Sequence, residues 1–151
     1  IGNKLINARS ETVAEKPSFR SAFKKRRCLV PMSGVYEWKR EGKTKEPYFI
    51  HTRAPLFAVA GLWERWGQAD RIVESCTLLT TEANAAVGAI HDRMPVILPP
   101  ERFELWLDSS ATAEQLAEAL VPYPADEMLM HPVSQRVNSP REQGPEFILP
   151  A

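Results

Sequence analysis

The chain has 151 residues, 44% hydrophobic and 25% charged, with 13 prolines and 7 glycines. That length and balance describe a single domain and exclude a disordered, collagenous or low-complexity chain. The formal net charge is zero, yet residues 1–50 hold twelve Lys/Arg against five Asp/Glu, and residues 51–151 hold seven Arg against fourteen Asp/Glu. This asymmetry fits either one basic face or a well-mixed surface, and charge alone leaves the two even. No apolar run reaches the ~18 residues of a membrane span. No signal-peptide pattern opens the chain, and a cytoplasmic protein is expected. Cys28 and Cys76 are too few for a disulfide framework and form no CxxC pair. Two reduced thiols and no metal are expected.

Taken in chain order, residues 1–6 read as mid-domain sequence, with the apolar pair Leu5-Ile6 leading into a polar run, Asn7-Ala8-Arg9-Ser10-Glu11-Thr12. Such a run leaving a buried strand suits a binding site, and equally a helix cap or turn. Residues 12–23 contain a helix, capped by Ser18, with Phe19, Ala22 and Phe23 at i, i+3, i+4 spacing. Lys24-Lys25-Arg26-Arg27 then serves either the helix dipole or phosphate binding. Short strands follow at 28–31, 35–39, 48–51, 56–60 and 72–81, with a turn at Glu41-Gly42-Lys43. Residues 82–90 suit a short helix and 95–98 a strand. Pro99-Pro100 opens a helix through Leu107. Thr112 caps an amphipathic helix to Leu120, with Leu116, Ala119 and Leu120 facing the core. A strand returns at 128–133, and the proline-rich tail from Asn138 wraps the surface. Strands and helices mix without a βαβ rhythm, which gives an α+β domain: antiparallel sheets in a partly closed barrel with flanking short helices.

Two further segments carry chemistry. In Gly34-Val35-Tyr36-Glu37-Trp38, alternation puts Val35 and Glu37 on one face and Tyr36 and Trp38 on the other. Burial beside Val35 would raise the Glu37 pKa and suit it to proton transfer; an edge-strand carboxylate in water is the plainer alternative. In Ile90-His91-Asp92-Arg93-Met94-Pro95, His91 is either a proton-transfer group or a satisfied structural histidine. His51 and His131 sit in apolar runs and read as structural. No HExxH, GxSxG or phosphate-cradling glycine motif occurs.

Together these segments resemble the SOS-response-associated peptidase (SRAP) family. Asn7 to Thr12 is similar to its NARSET motif. Cys28-Leu29-Val30-Pro31 and Ser33-Gly34-Val35-Tyr36-Glu37-Trp38 resemble its RCLVP and GFYEW motifs. Ala60-Gly61-Leu62-Trp63-Glu64 resembles its AGLWE strand. Thr80-Thr81-Glu82-Ala83-Asn84 with Ile90 to Val96 resembles its TTxAN and IHxRMPV block. The resemblance implies covalent capture of abasic sites in single-stranded DNA by a cysteine that follows the initiator Met, which the protein's own peptidase activity removes. That cysteine has no counterpart here, so the N-terminal third is expected to be absent and the 151 residues alone inactive. By the same resemblance Asn7, Glu37 and His91 are catalytic, and Arg9, Trp38, Thr81 and Arg93 bind DNA. No cofactor is implied. The implied state is a monomer, nucleoid-associated in a bacterium. A noncovalent single-strand-binding module, a thiol peptidase acting on other proteins and an inactive remnant stay open as alternatives.

Overall fold

The computed structural model describes residues 5–68 and 71–151. Most of the opening read as mid-domain sequence, residues 1–4, lies outside them. The strands are β1 (Asn7–Arg9), β2 (Arg27–Met32), β3 (Val35–Glu41), β4 (Thr44–Thr52), β5 (Phe57–Trp66), β6 (Val73–Glu82), β7 (Arg93–Pro95), β8 (Ile97–Leu98) and β9 (Met128–Pro132). The helices are α1 (Arg20–Lys25), α2 (Phe103–Leu107) and α3 (Ala113–Ala117). This is an α+β fold. Six strands form one sheet, a half-barrel with β1-β6-β5-β2 in order. Chain 93–98 enters where β5 and β6 diverge, so that β7 pairs β6 and β8 pairs β5. Val96 closes that junction: its N–H donates to the Leu79 carbonyl and its carbonyl accepts from Ala60, each at 2.9 Å. A second sheet has the order β3-β4-β9.

Most expected elements are present, and the exceptions have local causes. The large sheet is mixed, not antiparallel throughout, because β1 pairs parallel to β6. Ser18 does not cap α1. Phe19 occupies the N-cap without a side-chain bond, and the Phe19 and Arg20 N–H groups both return to the Lys16 carbonyl at 2.9 Å, which places Ser18 inside a turn. Residues 82–90 form only the 3-10 turn Val87–Ala89. The expected helix to Leu120 shortens to α3, with the Thr112–Gln115 capping box in place.

Two cores lie on opposite faces of the half-barrel. One joins Ala60, Leu62 and Leu79 to Phe23 of α1, Trp106 of α2 and Leu116 of α3. The other joins Val59 and Ile97 of the large sheet to Ile50 and Met128 of the small sheet, with Val35, Tyr48, Leu78 and Met130 packed against them. Arg27 locks the first core. Its guanidinium donates to the carbonyls of Phe23 (2.6 Å), Lys24 (3.0 Å), Trp106 (2.7 Å) and Asp108. It therefore satisfies carbonyls left open at the ends of α1 and α2. Arg26 pairs with Glu64 at 2.6 Å. The basic cluster thus spends half its charge on structure. His51 and His131 each contact a carbonyl, of Thr52 (2.9 Å) and Ile148 (2.8 Å), in an aromatic cluster around Phe49 on the outer face of the small sheet.

Candidate functional site

The site forms where the small sheet faces the half-barrel, and strand alternation decides which side chains reach it. In β3, Val35 packs into the second core while Tyr36 packs tilted against Phe49, ring centroids 5.6 Å apart, on the outer face. Glu37 follows Val35 to the inner side. In β1, Ala8 is buried in the helical core, so Asn7 and Arg9 turn the other way. Their register partners Leu78 and Thr80 share that face, and Leu78 packs against the second core. Asn7 and Arg9 are both exposed there.

His91 arrives by a route that Asn84 organises. Its side-chain oxygen accepts from the N–H groups of Ala86 (3.1 Å) and Val87 (2.9 Å), and its amide donates to the Tyr123 carbonyl at 2.7 Å. The capped turn ends at Ile90, and His91 stands at the corner before β7. Its Nδ1 lies 3.1 Å from the Arg93 nitrogen, 3.2 Å from the Arg93 carbonyl oxygen and 3.4 Å from Asp92 Oδ1. The Arg93 backbone thus offers Nδ1 both a donor and an acceptor and holds the ring in either tautomer.

Glu37 is half-buried, and burial pushes its carboxyl above the ordinary carboxylate value. The charge of His91 opposes that rise, as does the Trp38 N–H, and the charge of Asp92 adds to it. The corner at His91 is therefore electrostatically linked to Glu37 across the gap between the sheets. A carboxyl whose pKa is raised by burial, within electrostatic reach of an imidazole, is suited to proton transfer.

The remaining candidates divide. Trp38 lies on the outer face of β3, where its indole N–H donates to Asn138 Oδ1 at 2.6 Å. Arg93 is committed: Nη1 and Nη2 bond the two Glu11 oxygens at 2.7 and 2.9 Å, and Nη2 also donates to the Thr80 carbonyl at 2.7 Å. Arg9 makes no ion pair among the described residues, and its charge acts on Glu11. Thr81 is not brought to Glu37 and His91. It is buried and lines a cleft of about 430 Å³ with Glu11, Phe23 and, from the α3 segment, Ala113, Ala117 and Leu120. Its neighbour Thr80 faces the site and lies 3.3 Å from Arg93 Nη2. Sequence reading passed over Thr80 and Glu11. The alternation of β6 around Leu79 would have found the first, and no sequence signal marks the second as the partner of Arg93.

Among the described residues, no group of three or more His, Cys, Asp or Glu could hold a metal ion, and no helix is long and apolar enough to cross a membrane. Cys28 and Cys76 are free. Burial pushes the Cys28 thiol up, away from the thiolate a nucleophile needs.

Known proteins share this sequence pattern and this fold. The model of the SOS response associated peptidase (SRAP) family matches residues 1–140. Abasic site processing protein YoqW of Bacillus subtilis is 46% identical over 152 residues, which cover 98% of this chain and 68% of YoqW. Abasic site processing protein HMCES of Gallus gallus is 34% identical over 170 residues, covering 97% of this chain and 50% of HMCES. A crystal structure of a protein from Bacteroides thetaiotaomicron superposes with a TM-score of 0.91 at 34% identity, covering 99% of this chain and 67% of that one. The chain thus spans about two thirds of YoqW and half of HMCES. By motif order, fold and relatedness, it belongs to the SRAP family.

Proposed function

We propose that this chain forms the reaction pocket of a protein that captures abasic sites in single-stranded DNA covalently. The observation that carries the reading is the Glu37–His91 arrangement: a half-buried carboxyl with a raised pKa within electrostatic reach of an imidazole, with Asn7 and Arg9 exposed on the face of the half-barrel that Leu78 shares with the second core. The names of YoqW and HMCES as abasic site processing proteins support the substrate.

An abasic site exists in part as a ring-opened aldehyde. An amine adds to it and loses water to give an imine, and a thiol adds to the imine carbon to close a thiazolidine. An N-terminal cysteine offers both groups on one residue, which makes closure intramolecular. That cysteine is not among the 151 residues. In such a protein the cysteine follows the initiator Met and is freed by the protein's own peptidase activity, and this chain supplies the surrounding pocket. Glu37 takes the proton from the terminal ammonium and returns it to the hydroxyl that leaves as water. His91 donates a proton to open the sugar ring. Asn7 holds the cysteine and sugar through its amide. Arg9 and Arg93 hold the flanking phosphates. Trp38, its N–H already bonded, offers its ring to a base. The hydrogen bond near the lesion comes from Thr80 instead of Thr81.

Intact-mass measurement of the full-length protein after incubation with an abasic oligonucleotide tests this chemistry. The expected product weighs protein plus oligonucleotide less one water. A mass equal to the unmodified protein, with cleaved DNA beside it, would contradict it.

A further inference from the structure

Resting on the proposed capture reaction, we infer that Glu11 is a positioning residue of the site, which orients Arg93 and, through the Arg93 backbone, fixes His91. Glu11 lies in the turn after β1, held there by the Ser10 N–H on the Thr80 carbonyl at 2.9 Å. Its two oxygens take both terminal nitrogens of Arg93, and one of those nitrogens also reaches the Thr80 carbonyl and hydroxyl. One guanidinium thereby ties the β1 turn, β6 and the start of β7 together. A two-bonded carboxylate–guanidinium pair fixes orientation as well as distance. The pair is not a loose surface contact, since the Arg93 side chain is only 18% exposed.

The tie reaches two residues back along the chain, to His91. The backbone N–H of Arg93 donates to His91 Nδ1 at 3.1 Å, and the Ala83 N–H holds the Asp92 carbonyl at 3.0 Å. The corner at residues 91–93 is thus pinned on one side by β6 and on the other by Glu11. Releasing Arg93 loosens the backbone groups that hold His91 Nδ1, and with them the tautomer balance of the ring.

Glu11 also stands between the two arginines assigned to phosphates, bonded to Arg93 and acting on Arg9 through space. Its negative charge offsets theirs before any strand arrives. Removing that charge while keeping the shape therefore has opposite effects on binding and reaction. In full-length Glu11→Gln, capture of an abasic strand is expected to slow about tenfold or more, the scale of a misplaced catalytic group. Noncovalent affinity for an intact single strand is expected to stay the same or tighten by up to about fivefold, the scale of one exposed charge interaction. Glu11→Asp keeps the charge one methylene short; it should bind as the natural protein does and recover only part of the rate. The second readout needs no DNA: two-bond proton–nitrogen spectra of His91, assigned with His91→Gln, should show one dominant tautomer in the natural protein and a changed tautomer balance in Glu11→Gln.

An unchanged capture rate in Glu11→Gln, a parallel loss of rate and affinity, or an unchanged His91 tautomer would each overturn the inference. If Glu11→Gln does not fold, Glu11→Asp carries the same three tests. If the natural protein captures nothing, the capture reading fails, and the tautomer spectra alone then decide whether Glu11 positions His91.

Discussion

Thr80 and Thr81 are neighbours in β6 and face opposite sides of the half-barrel. Thr80 shares the face of Leu78 and lies 3.3 Å from Arg93 Nη2, while Thr81 is buried in the cleft beside α3. Valine keeps the β-branched shape and removes only the hydroxyl. Thr80→Val should slow capture, and Thr81→Val should leave the capture rate unchanged while altering stability. Single-turnover rates on an abasic oligonucleotide separate the two. Equal slowing by both would mean that the face assignment does not govern the site.

Glu37 carries a stability consequence opposite to most carboxylates. Burial raises its folded pKa above the unfolded value, so between those two values the folded state binds more protons. Stability therefore falls as pH rises through that window and stays lower at neutral pH. Glu37→Gln should melt higher than the natural protein at pH 7, and the difference should vanish below the ordinary carboxylate range. A gain of about 1 kcal/mol corresponds to roughly 2–4 °C for a chain of this size. Thermal melts at pH 7 and below pH ~4 read the sign. The same variant should slow capture and keep its affinity for single-stranded DNA.

Arg9 is exposed on the site face and makes no ion pair among the described residues. Arg9→Ala should weaken binding to intact single strands and flatten the salt dependence by about 0.7 in slope per phosphate released. Titrations at several salt concentrations give that slope. An unchanged slope would assign Arg9 a structural role.

Gly34 permits the close approach that starts β3. A Cβ there would overlap the Phe49 ring and come within 2.9 Å of the Ile50 carbonyl oxygen. Gly34→Ala should destabilise by about 1–3 kcal/mol, the scale of overpacking in a filled site. Urea denaturation measures it. A loss below the error of the measurement would mean that Phe49 moves aside freely.

The sequence was most legible where the determinant was local. The Thr112–Gln115 capping box formed as read, and alternation correctly put Val35 on the inner face and Tyr36 on the outer. The turn between β3 and β4 holds Gly42 at φ 61°, a conformation suited to glycine. What escaped depends on partners far along the chain. The parallel β1–β6 pairing joins residues about seventy positions apart, and Arg93 meets Glu11 across 82 positions. Arg27, open in sequence between a helix-dipole and a phosphate-binding role, is taken up by the carbonyls at the ends of two helices. Ser18 had the right residue type for a cap, but the turn closed on Lys16 put Phe19 in the cap position.

The most direct test of the central claim uses the full-length protein, shown by mass to begin with a free cysteine, and a labelled single strand carrying one abasic site. The products run on a denaturing gel beside an intact strand. The account predicts a heat-stable shifted band with the abasic strand alone, weakened in both Glu37→Gln and His91→Ala. No shifted band from the natural protein, or bands of equal rate from all three, would contradict it.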